Sequence, residues 1–280
     1  MLPHTEEGVD GTDPDLDPLE AIYDALDGGD AATALALARQ AAQTGGADDP
    51  VLRFLAGMAL LELDRPGEAA DELGRAVQLD PEDAEFRANH ARALFLGCRF
   101  EPAAAEAARA LELDPKLPDA HDVQASLLER SGRWAEADRH LERAARLDPE
   151  RFGLPLRLGA DAFAAQVTRA AEHLPERFRA LLDRVAVSVE PVPPEAVLLD
   201  AEPALDPELL GLFVGTPRTE AGAGEASGEL PARIYLFQRN LERYAADGGD
   251  LAEQIAITLY HELGHYLGLE EDQLEALDFG

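Results

Sequence analysis

The chain reads as mainly α: an N-terminal α-solenoid of paired helices, then a C-terminal α+β region with a small sheet and a long last helix. Three observations predict this. Leu-Asp-Pro recurs at Leu79, Leu113 and Leu147, a spacing of 34 residues. At Val185 the apolar pattern changes from helical to alternating. Finally, Leu251 to Gly268 is an apolar helical stretch with two histidines one turn apart.

Residues 1–15 are acidic and rich in Gly, Pro and Asp, and are expected to be disordered. The repeat follows. Small residues recur with the Leu-Asp-Pro triplets at Ala69, Ala103 and Ala137, and again at Ala76, Ala110 and Ala144. Gly57, Ala91 and Ala125 hold the matching place one helix earlier, with Leu60, Leu94 and Leu128 three residues on. Ala34 and Ala41 mark a weaker copy, one residue out because of the loop Gln43 to Pro50. Small residues let antiparallel helices approach closely, and proline closes each pair. This pattern resembles the tetratricopeptide repeat, and it predicts four helix pairs within a repeat region at 16–153.

A solenoid offers its inner helices to a peptide or protein, so a partner on the array is one expectation. The other is a scaffold that positions the next domain. The inner-helix places are Phe54, Ala88 and Asp122, with Met58, Arg92 and Ser126. They lack the Lys and Asn with which co-chaperone arrays hold acidic C-termini. His90, His121 and His140 lie within the repeats with no partner at ligand spacing, and Trp134 reads as a packing residue.

Arg151 to Gly159 is a linker or capping segment, and a second domain is expected over 154–280. Asp161 to His173 and Glu176 to Leu182 are amphipathic helical stretches broken by Pro175. His173 reads as a surface helix residue. Val185–Val189, Leu209–Val214 and Ala232–Phe237 are strand candidates, and Thr216–Glu229 reads as a mobile loop. Together they predict a small sheet under the last helix.

That helix contains His261-Glu262-Leu263-Gly264-His265. Residues i and i+4 share a helix face, so both imidazoles can reach one metal ion, and Glu262 stands ready to take a proton from an activated water. By chance alone the pattern is expected only about 0.02 times in such a chain. Leu251, Ile255, Leu259, Leu263 and Leu267 form an apolar stripe beneath it. Asp250 with Glu253 suggests a capping box, and Gly268 a left-handed stop. The plain alternative is a pair of core histidines satisfied by hydrogen bonds.

Beyond His265 the motif extends to HExxHxxGxxE, with Gly268 turning the chain and Glu271 six residues past the second histidine. Here the chain resembles the zincins, and among them the small bacterial zincin-like metallopeptidases. The resemblance covers roughly Asp161 to Gly280, including Leu210-Gly-Leu-Phe-Val-Gly and Leu230-Pro231. Metzincins share the glycine turn but add a Met-turn, and this chain has only Met1 and Met58. The resemblance implies Zn²⁺ held by His261, His265 and Glu271, with Glu270 and Asp272 as neighbouring alternatives for the third place. It implies Glu262 as catalytic base, an edge strand that pairs with an extended substrate, and a second donor to the oxyanion. Tyr235, Tyr260 and Tyr266 are candidates for that donor.

Composition narrows the remaining choices. With 24 basic and 56 acidic residues the formal charge is −32, which argues against nucleic-acid and anionic-membrane partners. A single cysteine, Cys98, excludes an intrachain disulfide and fits a reducing compartment; it reads as structural. The first residues lack the apolar core of a signal peptide, so a cytoplasmic setting is expected. The expected function is therefore a zinc metallopeptidase acting on a peptide or protein. Two rivals stand beside it: a non-catalytic interaction protein with a zinc-stabilised module, and a zinc hydrolase of a non-peptide amide. Zinc binding alone needs no carboxylate at Glu262, which favours catalysis.

Overall fold

The computed structural model describes residues 17–46, 48–217, 232–269 and 273–274. The segment expected to be disordered at the start, Leu230-Pro231, most of the loop expected at Thr216–Glu229, and Glu270, Glu271 and Asp272 lie outside these residues.

Four antiparallel helix pairs form the first part: α1 (Pro18–Asp27) with α2 (Ala31–Ala41), α3 (Pro50–Glu62) with α4 (Pro66–Leu79), α5 (Ala84–Leu96) with α6 (Phe100–Leu113), and α7 (Pro118–Arg130) with α8 (Trp134–Leu147). A single π-turn, Ala42–Gly46, takes up the odd residue after α2. Aspartates cap several first helices: Asp17, Asp49 and Asp83 accept from backbone amides of the first turn, and prolines open α1, α3, α4 and α7. The recurring small residues sit where expected. Ala69, Ala76, Ala91, Ala103, Ala110, Ala125, Ala137 and Ala144 are fully buried. A Cβ on Gly57 would run into the Leu73 side chain, so only glycine allows α3 and α4 to pack this closely.

One expectation for this region needs correcting. His121 and His140 are not isolated: their Nδ1 atoms lie 2.9 Å apart across α7 and α8, and His121 Nε2 faces the Pro115 carbonyl at 3.1 Å. Their separation in sequence hides a contact that helix pairing makes.

After an irregular stretch, the second part begins with α9 (Ala160–His173) and the single turn α10 (Glu176–Arg179). Three strands follow, with one-turn α11 (Glu195–Leu198) between the first two: β1 (Ala186–Glu190), β2 (Gly211–Val214) and β3 (Arg233–Phe237). Their order is β1-β3-β2, parallel between β1 and β3 and antiparallel between β2 and β3. The central β3 buries Ile234, Leu236 and Phe237. Then come α12 (Gln238–Tyr244), which its polar sequence concealed, and α13 (Gly248–Tyr266). α13 packs on α9 and across β2 and β3, with Leu251, Ile255, Leu259 and Leu263 fully buried. This core is separate from that of the repeats.

The start of α13 differs from expectation. Asp247 is the cap, accepting from Gly249 N and Asp250 N, while Asp250 accepts from Ala246 N and Gln254. Gly-Gly before Leu251 tolerates helical geometry and adds a turn. The other end follows the sequence: Gly268 adopts φ +77°, Gly268 N–H donates to His265 O, and Leu269 N–H reaches back to Gly264 O. Among the described residues no helix is long and apolar enough to cross a membrane.

The two parts meet through buried charge. Arg157, in the linker, donates to Glu129 and Asp138 of the repeats and to Glu242 of α12, at 2.8, 2.9 and 3.1 Å. Arg239 lies over the Trp134 ring and donates to Asp138 and Glu129. Arg243 donates to Asp122 at 2.5 Å and Ser126 at 2.7 Å. Glu129 and Glu242 are 2 % and 1 % exposed, so each carboxylate relies on these arginines in place of water.

Candidate metal centre

α13 brings His261 and His265 together as their spacing requires. Their Nε2 atoms face each other at 3.0 Å and the rings meet edge to face. Tetrahedral zinc, with Zn–N bonds of about 2.0–2.1 Å, holds two nitrogens roughly 3.3 Å apart, so this pair fits such an ion with little adjustment. Among the described residues no group of three ligating side chains converges. Glu271, the expected third ligand, lies outside them.

Glu262 is 7 % exposed, and its Oε2 accepts from the Phe213 amide of β2 at 2.6 Å. β2 is one of the two edge strands of the sheet, and the one nearer Glu262. Gly211 allows it to lie so near α13, because a Cβ there would collide with Thr258 and press on Glu262. Gly264 is as constrained: a Cβ would occupy the place of the Leu274 methyl group. Leu274, beyond Gly268, therefore packs directly on α13 at Gly264.

His261, Glu262 and His265 open on one cleft of about 730 Å³, with an apolar lining that includes Leu209, Leu212, Phe213 and Ile257. Ile257 is 38 % exposed and opens on the cleft. Asp206 lies on the opposite wall, where burial pushes its carboxyl above the usual range.

The tyrosines expected near the oxyanion are elsewhere. Tyr260 is buried against Phe178, with ring centroids 4.4 Å apart, and Tyr266 is buried against Phe213. Tyr235 lies on β3 under Arg233. None of the three lines the cleft. His173 stays on α9, where Nδ1 faces the Arg169 carbonyl.

Sequence reasoning did not find the wall formed by Leu205–Leu210 or the helix α12 behind it. Asn240 of α12 donates to Pro207 O and Leu209 O, at 3.1 and 2.8 Å, and so holds that wall. A buried Asn in a short polar stretch has no periodic signal.

Comparison with known proteins agrees with both halves of this architecture. Residues 182–280 match the family described as zincin-like metallopeptidase, and residues 60–127 match the tetratricopeptide repeat. Similar solved structures include a crystal structure of MamA, at 19 % identity and a TM-score of 0.41 over 46 % of this chain and 74 % of that one. Another is YrrB, described as a TPR protein with an unusual peptide-binding site, at 22 % identity and a TM-score of 0.42 over 48 % and 68 %. No curated protein matches the chain. The chain therefore carries a tetratricopeptide repeat region followed by a zincin-like metallopeptidase domain.

Proposed function

We propose that this protein is a zinc-dependent peptidase that hydrolyses peptide bonds with an activated water, and that its repeat array also receives a protein or peptide partner. The observation that carries the reading is the convergence of two imidazole nitrogens and the Glu262 carboxylate on one cleft. His261 and His265 supply two ligands, and Glu271 is proposed as the third. Zinc bound there would polarise a water and the scissile carbonyl. Glu262 takes the proton from that water and passes it to the leaving amine. The Phe213 amide aims the carboxylate, and the apolar lining receives side chains of an extended peptide beside the edge strand. A cytoplasmic setting belongs to the same reading, supported by the single cysteine.

The test begins with zinc analysis of the purified chain, then cleavage of a broad peptide library with and without chelator. One zinc per chain and chelator-sensitive cleavage are expected. His261→Ala and His265→Ala should each abolish zinc binding. Glu271→Ala should cost more affinity than the roughly 10–100-fold typical of a residue behind the ligands, and more than Glu270→Ala or Asp272→Ala. Full zinc occupancy in both histidine variants overturns the site, and a stoichiometric zinc protein that cleaves no peptide favours the interaction-module alternative.

A further inference from the structure

The segment Leu205 to Leu210 is engaged on two sides. On one, Leu205, Asp206, Leu209 and Leu210 line the cleft that holds His261, Glu262 and His265. On the other, the repeats grip it. Arg92 of α5 makes a two-pronged ion pair with Glu208, at 2.5 and 2.6 Å. Just past the same helix, the Cys98 thiol donates to the Leu205 carbonyl at 3.3 Å. α12, which holds Pro207 and Leu209 through Asn240, is itself fastened to α7 by Arg243 on Asp122 and Ser126. From Leu210 the chain passes directly into β2, whose Phe213 amide meets Glu262. Contacts therefore run without a break from the inner helices of the array to the carboxylate in the cleft.

We infer that the repeat array is a positioning element of the cleft. Arg92 and Cys98 set the wall 205–210, and through it the strand that orients Glu262. The consequence for turnover rests on the peptidase reading; the consequence for the wall does not. The physical argument is that residues 199–210 form no helix or strand. Such a segment has few internal restraints and takes its conformation from what it leans on. A bidentate arginine–carboxylate pair fixes orientation as well as distance, which a lysine does not. Three inner-helix places, Arg92, Asp122 and Ser126, are engaged by the chain's own second half, so a partner of the array would use its remaining surface. Arg92 and Glu208 are thus positioning residues, remote from the reacting atoms.

The experiment uses the full chain with Arg92→Ala, Glu208→Ala and the exchanged pair Arg92→Glu with Glu208→Arg. Amide hydrogen exchange over 205–214 and zinc affinity are measured first, then kcat and KM on a peptide chosen from the library. Each single variant should speed exchange across 205–214 by about tenfold while amides of α13 and zinc affinity stay as in the parent. kcat/KM should fall by a similar factor, and the exchanged pair should recover part of both losses. An ion pair of merely general structural value would lower the melting temperature without concentrating faster exchange in 205–214, and that result overturns the proposal. So does full activity despite a loosened wall. Should either alanine variant fail to fold, Glu208→Gln keeps the shape of the side chain and is read by the same criteria. A parent that binds zinc but cleaves nothing defeats the peptidase reading alone, and exchange at 205–214 still decides the positioning role.

Discussion

Glu262 accepts a hydrogen bond from the Phe213 amide, and a glutamine oxygen can accept the same bond. Glu262→Gln should therefore keep fold and zinc while losing about 10²–10⁴ in rate, because an amide takes no proton at neutral pH. Single-turnover assays on zinc-loaded protein check this, and a Gln variant as active as the parent removes Glu262 as the base. Gly264 tests geometry instead. A methyl group there displaces Leu274, an overpacking change that typically costs about 1–3 kcal/mol. Gly264→Ala should lower the melting temperature and also weaken zinc binding, since it displaces Leu274 from the turn of α13 that carries His261 and His265. Parental zinc affinity in a destabilised Gly264→Ala would show that the packing of Leu274 on α13 has no bearing on zinc binding.

Among the elements, β2 is a short strand with a demanding position. It pairs with β3 on one side, touches α13 through Gly211, and inherits its placement from the wall at 205–210. The Arg92–Glu208 pair gives that wall a pH signature. Burial raises the Glu208 carboxyl, but the Arg92 hydrogen bonds together with the positive charges of Arg92 and Arg243 outweigh it and hold the group below its ordinary value. A carboxylate with a lowered folded pKa contributes stability that is complete above its unfolded pKa, about 4.3 for Glu, and is lost as pH falls through the folded value. Exchange protection of 205–210 should therefore decline on acidification below about pH 4. The difference between the parent and Glu208→Gln isolates this effect from Asp206, whose carboxyl burial shifts the opposite way. Equal acid sensitivity in both proteins would show that Glu208 is not the group responsible.

For the whole molecule, two apolar cores are joined by a polar seam. A chain beginning at Leu154 retains the second core, including Leu156 and Leu158 packed against it. It loses Asp122, Ser126, Glu129 and Asp138, so Arg239 and Arg243 lose their partners on the repeats while Arg157 keeps Glu242. Truncation should leave a folded, zinc-binding domain with a lower melting temperature and faster exchange in α12 and at 205–210. Thermal melts and zinc titration of the 154–280 fragment check this. A molten fragment by amide exchange would mean that the seam is needed for the core and that the halves fold as one unit.

The local code of this chain was legible because each feature repeats or is periodic. A spacing of 34 residues marks the helix pairs, alternation at Val185–Val189 marks a strand within one residue of β1, and the i, i+4 spacing alone brings the His261 and His265 nitrogens together. Gly268 likewise states its own turn, since only its positive φ lets Leu269 N–H close on Gly264 O. What lies between elements had no such signal. Asp247 in place of Asp250 as cap, the His121–His140 contact and helix α12 all follow from where distant segments meet. Arg92 reads only as an inner-helix place, and nothing singles out Glu208, Arg239, Glu242 or Arg243, because charge by itself predicts exposure. Tertiary structure reverses that reading by giving each a partner of opposite sign, in several cases more than a hundred residues away, and paired charges can be buried where single ones cannot. The histidine pair was written into one helix, while the wall facing it and the use of the repeats to hold that wall were decided only by the docking of the two halves.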